Sequence, residues 1–395
     1  MQIADRLAPL QKNVFADMDR AKAKAIACGK PLIDLSLGSS DLPTPPHILE
    51  AISKALQDPE THGYALFNST KDFRVAAAQW YERKFNIAVD PETEVMPLIG
   101  SQEGTAHLPL AVMNPGDVAL LQDPGYPSHA GGVYLAGGEI YPMPALAKND
   151  FLPVLNDIPA DVVKKATLMV LSYPHNPTTA IAPLSFFKEA VTFCQQHDIA
   201  LVHDFPYTDL YFGTEPVPSV LQADPEKSVS IEFFSLSKSY NMGGFRVAYA
   251  IGNAELIRGL RQVKATVDFN QYRGILRGAI AALEGSQDCV AKMVSTFAAR
   301  RNTAVSALAS IGWDISAPSA TMYLWVKLPA DLPNGWATDS IAFCRELVAE
   351  TGVALSPGRG FGESGEGYVR FALVQSPTVL ETAIQRISKF TYKKD

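Results

Sequence analysis

Short, nearly continuous apolar runs recur along this chain, separated by stretches of helical periodicity. "VMPLIG" leads into "SQEGTAHLPLAVM", "DVALLQDP" ends at Asp-Pro-Gly, and "TLMVLSYP" precedes the helical pattern "PLSFFKEAVTFCQQHD". "IALVHDFPY", "SVSIEFFSLSK" and "FRVAYAIG" continue the series. Strands without polar alternation are buried on both faces. With helices between them they predict a mainly parallel sheet in an α/β domain. Beyond about residue 290 the pattern changes. "AKMVSTFAARRNTAVSALASIG" predicts a long helix, and "TMYLWVKLP", "VALSPG" and "GYVRFALV" predict strands of a smaller α+β unit closed by the helix "TVLETAIQRISKF". Near the start, helical "VFADMDRAKAKAIACG" gives way to "PLIDLSLGSSDLPTPP", whose prolines cannot continue a helix and predict a crossing segment. The expected division is 1–45 as an arm and part of the small domain, 46–289 as the large domain, and 290–395 as the small C-terminal domain.

Composition narrows the function class. The chain has 395 residues, 47% hydrophobic and 19% charged, which is ample for a sizeable core. A net charge of -7 with no Lys/Arg cluster argues against nucleic acid. Cys28, Cys194, Cys289 and Cys344 are scattered, with no C-x-x-C pair, so neither a zinc site nor a disulfide framework is expected. No apolar run approaches membrane-spanning length, and "MQIADRLAPLQKN" lacks the apolar core of a signal peptide, so the expected location is cytoplasmic. The histidines have no metal-ligand spacing, and no metal is expected; His175 and His203 read as core or turn residues.

Ligands of open parallel sheets sit at the carboxyl ends of the strands. Here those ends carry Gly100-Ser101-Gln102, Asp123-Pro-Gly-Tyr126, Tyr173-Pro-His-Asn176, Asp204 with Tyr207, and Ser235, Ser237 and Lys238. A Gly-Ser start to a helix offers free backbone N–H groups to an anion, and Ser235, Ser237 and Arg246 add donors for the same phosphate. A carboxylate can pair with a protonated ring nitrogen, a phenol and an amide can hold a ring oxygen, and a lysine can form a Schiff base with an aldehyde. Pyridoxal 5'-phosphate has all four features. No G-x-x-x-x-G-K-[ST] is present, and the glycine cluster "PGRGFGESG" does not open a helix after a strand, so ATP and NAD fit poorly.

With these residues in view, the sequence resembles the fold-type I pyridoxal-phosphate aminotransferases of class I/II, from about residue 30 to about residue 390. "SLSKSYNMGGFRVAYAIGN" resembles the family's Ser-x-Ser-Lys segment with its downstream arginine. "SYPHNPTTA" resembles the Asn-Pro-Thr-Gly motif, with Thr179 in place of the glycine. "HDFPYTDL" and "GYVRFALV" resemble the Asp-x-x-Tyr and C-terminal arginine motifs. "LIGSQEGTAHL" and "SPGRGFGESGEGYVRFAL" look most like the alanine and LL-diaminopimelate branch.

The resemblance implies a large domain with a mainly parallel seven-stranded sheet, a smaller α+β domain, and a ping-pong exchange of an amino group between an amino acid and a 2-oxo acid. Lys238 would be the Schiff-base lysine and proton carrier, Asp204 the partner of the pyridine nitrogen, and Tyr207 with Asn176 the partners of the ring hydroxyl. Ser101, Gln102, Ser235, Ser237 and Arg246 would bind the phosphate, and Tyr126 would stack on the ring. Arg370 would clamp the substrate carboxylate, and Gly38 would let the crossing segment approach the substrate. Tyr64 would reach the phosphate of a partner subunit, which implies a homodimer with shared active sites. Each residue also has a plainer reading: a snorkelling lysine, capping serines, a turn asparagine before Pro177, a structural arginine. The motifs in their common order favour the functional set. A lyase or decarboxylase on the same fold, and a non-enzymatic cofactor-binding regulator, are the alternatives. The substrate's side chain is not legible: "KATVDFNQYRGIL" lacks the arginine motif of dicarboxylate enzymes, and Lys264 and Arg273 are nearby but without an assigned place.

Overall fold

The computed structural model describes residues 3–11 and 14–392. Its centre is a sheet of β1 (Val95–Leu98), β2 (Val118–Asp123), β3 (Glu139–Pro144), β4 (Ala166–Leu171), β5 (Ala200–Asp204), β6 (Ser230–Ser235) and β7 (Ala248–Gly252). The spatial order is β1-β7-β6-β5-β4-β2-β3. Strands β2 to β6 pair in parallel, and β7 runs antiparallel to both its neighbours, β6 and β1. The predicted mainly parallel sheet is thus present, with one reversed strand.

The apolar runs are strands because both faces of the sheet are covered. Ile231 and Phe233 of β6 join Leu168, Val170 and Val202 in one core, whereas Phe234 joins Met169, Leu171 and Leu201 in the other. The six runs read from the pattern correspond to six of the seven strands. The seventh, β3, escaped that reading because it is a partly exposed edge strand carrying Pro142 and Pro144, where a missing N–H is tolerated. "FRVAYAIG" begins as a strand only at Ala248, because Gly243–Phe245 forms a 3-10 turn and Arg246 has φ 52.

The smaller unit contains an antiparallel sheet of Ser356–Pro357, Tyr368–Ala372 and Tyr323–Lys327, together with the helices Asp288–Ser310, Ser340–Thr351 and Pro377–Thr391. "VALSPG" divides between two sheets: Ser356–Pro357 lies in this one, and Val353–Ala354 pairs in parallel with Ile33–Asp34. The crossing segment, which follows helix α1 (Val14–Ala27), therefore includes a two-residue strand before its prolines.

A polar network lies within the larger core. Glu232 and His203 are fully buried, with His203 Nδ1 2.8 Å from Glu232 Oε1. Tyr81 Oη and Ser219 Oγ each donate to Glu232 Oε2 at 3.0 Å, and the Val220 N–H donates to Oε1 at 2.7 Å. Four donors satisfy the carboxylate, which is the condition for burying it. Glu232→Ala leaves those donors unpaired and should destabilise the fold by about 3–5 kcal/mol. Denaturant unfolding of the holoenzyme measures this, and an unchanged midpoint would contradict it.

Candidate active site

Because only β7 is reversed, the carboxyl ends of β1, β2, β4, β5 and β6 share one edge of the sheet. The same reversal brings the start of β7, and with it Arg246, to that edge. Helix α2 (Ser101–Val112) begins there, directly after Gly100. A Cβ on Gly100 would lie 2.3 Å from Arg246 Nη2, so the missing side chain is what lets the guanidinium pass beside the helix start. Gly100 has φ 79, a conformation glycine adopts without strain. Ser235 Oγ accepts the Ser237 N–H at 3.2 Å and caps the single turn Leu236–Ser239 that carries Lys238. The Ser235 hydroxyl proton stays available to a second partner.

At the end of β5, Asp204 is 5% exposed. Its Oδ2 lies 3.0 Å from His129 Nε2, while its buried Oδ1 has no partner. An unpaired buried carboxylate oxygen is costly unless a donor reaches it. Tyr126 packs edge-on against His129, with ring centroids 5.7 Å apart. On the opposite wall, Arg370 donates from Nη1 to Asn176 Oδ1 and from Nη2 to the Ser36 carbonyl, both at 2.7 Å. A guanidinium only donates, so the Asn176 amide oxygen must face it and its NH2 points elsewhere. Arg370 also lies over Tyr323 and Phe361, 4.3 and 4.7 Å from the ring centroids, and its buried Nε is unpartnered.

Lys238 Nζ donates to the Gly38 carbonyl and lies 5.8 Å from the centre of the Tyr207 ring. Tyr207 and Tyr323 share a hydrogen bond of 2.8 Å. Burial, and then Tyr323, raise the Tyr207 phenol well above its ordinary value. Burial would raise Tyr323 too, but Arg370, Lys238 and the Tyr207 bond outweigh it and hold that phenol below its ordinary value. His175 is pushed down to about 3, first by burial and then by His129, and stays neutral at physiological pH.

Asn176, Asp204, Tyr207, Lys238, Tyr323 and Arg370 line one cleft of about 1020 Å³. The sequence matches the family "Aminotransferase class I and II" over residues 30–387. The chain belongs to the class I and II aminotransferases. It is 43% identical to an LL-diaminopimelate aminotransferase of Dehalococcoides mccartyi across 99% of both chains. It is 42% identical to one of Aquifex aeolicus across 98% of both. A "probable N-succinyldiaminopimelate aminotransferase" from Thermus thermophilus superposes with a TM-score of 0.89 at 41% identity, covering 95% of this chain and 99% of its own.

This aminotransferase is a pyridoxal-phosphate enzyme that exchanges an amino group between an amino acid and a 2-oxo acid by a ping-pong route. The cleft suits that cofactor. Asp204 Oδ1 offers a buried acceptor without a donor, the start of α2 and Arg246 offer a place for a phosphate, and Lys238 offers an amine. Every site residue expected from the sequence lines the cleft except Tyr64. Tyr64 is 88% exposed and packs edge-on against Phe269, 6.3 Å away. Lys264 and Arg273 stay outside: Lys264 is buried 2.7 Å from Glu103, and Arg273 donates to the Glu60 carbonyl. Among the described residues, Glu103, His107 and Asp268 could by spacing hold a metal, but Lys264 already lies against both carboxylates. His175 and His203 are buried, as expected.

Sequence reasoning missed His129, Tyr323 and Ser36. His129 follows Tyr126 by one helical turn, a spacing that could have suggested it. Tyr323 lies in a strand with no motif, and Ser36 acts through its backbone. Gly38, expected to let the crossing segment approach the substrate, also borders Tyr323. A Cβ there would lie 1.8 Å from Tyr323 Oη, so the glycine makes room for the phenol pair. Gly38→Ala should destabilise the enzyme by about 1–3 kcal/mol through overpacking. Adding Tyr323→Phe should recover part of the loss in a thermal melt. Equal melting of wild type and Gly38→Ala would contradict the clash.

Proposed function

We propose that this aminotransferase acts on LL-diaminopimelate. The observation that carries the reading is identity of 40–43% to enzymes of that name over 98–100% of this chain. The cleft, about 1020 Å³, is roomy for a diamino dicarboxylic acid. N-Succinyldiaminopimelate, named for the Thermus relative, is the second reading.

The bound cofactor supplies an electron sink for the bonds at the substrate α-carbon. The chain's own residues do the rest. The backbone N–H groups of Ser101 and Gln102, with Ser235, Ser237 and Arg246, hold the phosphate. Asp204 Oδ1 would accept the ring N–H while His129 fixes the carboxylate. Asn176, through its NH2, and Tyr207 hold the ring hydroxyl, and Tyr126 covers the ring. Lys238 would hold the cofactor through its amine and would supply the base that moves the proton at the substrate α-carbon. Arg370 binds the α-carboxylate, with Asn176 and the Ser36 carbonyl fixing its fork.

The enzyme acts as a homodimer in this reading, with Tyr64 entering the partner's site. In support, Tyr64 is exposed beside Phe269, and Leu66 and Val267 are exposed as well; clustered apolar exposure favours a protein interface. The division at residues 45 and 290 belongs to the same reading, and the pairing of Ile33–Asp34 with Val353–Ala354, not with the large sheet, supports it. A cytoplasmic location accords with four free cysteines, and among the described residues no helix is long and apolar enough to cross a membrane.

A matrix of amino acids against 2-oxo acids tests the substrate. LL-Diaminopimelate should give the highest kcat/KM; a higher value for its N-succinyl derivative or for alanine would overturn the reading. Arg370→Lys should raise KM in both half-reactions, because lysine keeps the charge but loses the planar fork. A loss confined to one half-reaction would mean that Arg370 reads a side chain. Subunit mixing tests the dimer. Tyr64→Phe should weaken cofactor retention in both sites. Exchange with Lys238→Ala chains should restore it in one site of each mixed dimer, the one with its own Lys238 and a borrowed Tyr64. If each defect stays with its own chain, Tyr64 acts in cis.

A further inference from the structure

Among the described residues, eight charged side chains line the cleft. Lys238, Asp204, Arg246 and Arg370 are those given to the cofactor and the α-carboxylate above. The other four are Asp19, Lys22, Arg359 and Glu363. Asp19 and Lys22 lie on helix α1, and Arg359 and Glu363 lie on the loop before the strand Tyr368–Ala372. The two segments touch through Phe15 and Phe361, whose rings meet edge-on at 5.3 Å. This wall holds two cations and two anions. A site for a lone far carboxylate needs surplus positive charge, and a site for an apolar side chain needs no charge.

The four groups are not equally committed. Lys22 is held by Asp19 at 2.7 Å and Asp34 at 3.0 Å, and its side chain is only 16% exposed. That corner carries two carboxylates for one ammonium. Asp34 is further bound by the N–H and hydroxyl of Ser36, whereas Asp19 is 69% exposed. Among the described residues, Arg359 forms its ion pair with Glu363, which is 76% exposed. An exposed pair of this kind contributes little and exchanges readily for a better partner.

We propose that this wall reads the far end of the substrate as a zwitterion: Arg359 takes the distal carboxylate and Asp19 the distal ammonium. The path fits the molecule. From Arg370 the cleft runs past the Phe361 ring, which covers the guanidinium, to Phe15, and Asp19 follows Phe15 by one helical turn on the same face. Charge, apolar stretch and charge follow in the order of a diamino dicarboxylic acid. The assignment rests on the LL-diaminopimelate reading and deepens it: N-succinylation removes the far ammonium and leaves Asp19 without a partner.

Single-turnover half-reactions of the holoenzyme test it with four amino donors: LL-diaminopimelate, 2-aminopimelate without the far ammonium, L-lysine without the far carboxylate, and N-succinyl-LL-diaminopimelate. Arg359→Gln should lower kcat/KM about 10- to 100-fold for the donors with a far carboxylate, with L-lysine spared. Asp19→Asn should lower it about tenfold for LL-diaminopimelate and L-lysine, with 2-aminopimelate and the N-succinyl compound spared. The opposite patterns of the two variants exclude simple misfolding. Equal loss on all four donors, or no loss, overturns the wall assignment while the substrate reading stands. A wild-type enzyme inactive on LL-diaminopimelate overturns both.

Discussion

Asp204 is a carboxylate with too few donors. It is buried at the end of β5, His129 holds one oxygen, and the other is buried without a partner. An unmet acceptor in that position is destabilising until a donor arrives. A protonated pyridine nitrogen is such a donor. Around such a ring, the start of α2 and Arg246 would hold the phosphate, Asn176 and Tyr207 the ring hydroxyl, and Lys238 the reactive carbon. His129 therefore matters as much as the carboxylate it fixes.

The reversal of β7 serves the same end by topology. A wholly parallel sheet would leave Arg246 on the far edge, away from the helix start that it supports. The small unit contributes the other half of the site. Its strand Tyr368–Ala372 carries Arg370, and Tyr323 from the neighbouring strand lies under the guanidinium and against Tyr207. Substrate binding and cofactor binding thus meet at one pair of phenols: burial raises Tyr207, while Arg370 and Lys238 hold Tyr323 below its ordinary value.

Much of this was legible in the sequence, and the reason is physical. Apolar runs marked the buried strands, and ligand-binding groups must follow such strands, so Asp204, Asn176, Ser235 and Lys238 could be read from position alone. What the pattern hid was of two kinds. Strand β3 lies at an edge with proline and exposed residues, so burial left no signature on it. His129, Tyr323 and the Ser36 carbonyl act through tertiary contacts between segments distant in sequence, and no local spacing encodes those. Gly38 was found for an incomplete reason: the space it leaves holds the phenol of Tyr323.

The most direct measurement concerns Asp204. Holoenzyme reconstituted with cofactor labelled with 15N at the ring nitrogen reports protonation of that atom by its chemical shift. In the wild-type enzyme the nitrogen should resonate as protonated. In Asp204→Asn, which keeps the shape but removes the charge, the signal should move to the unprotonated position. An identical shift in both proteins would mean that Asp204 does not hold the ring proton, and the account of the site would be wrong at its centre.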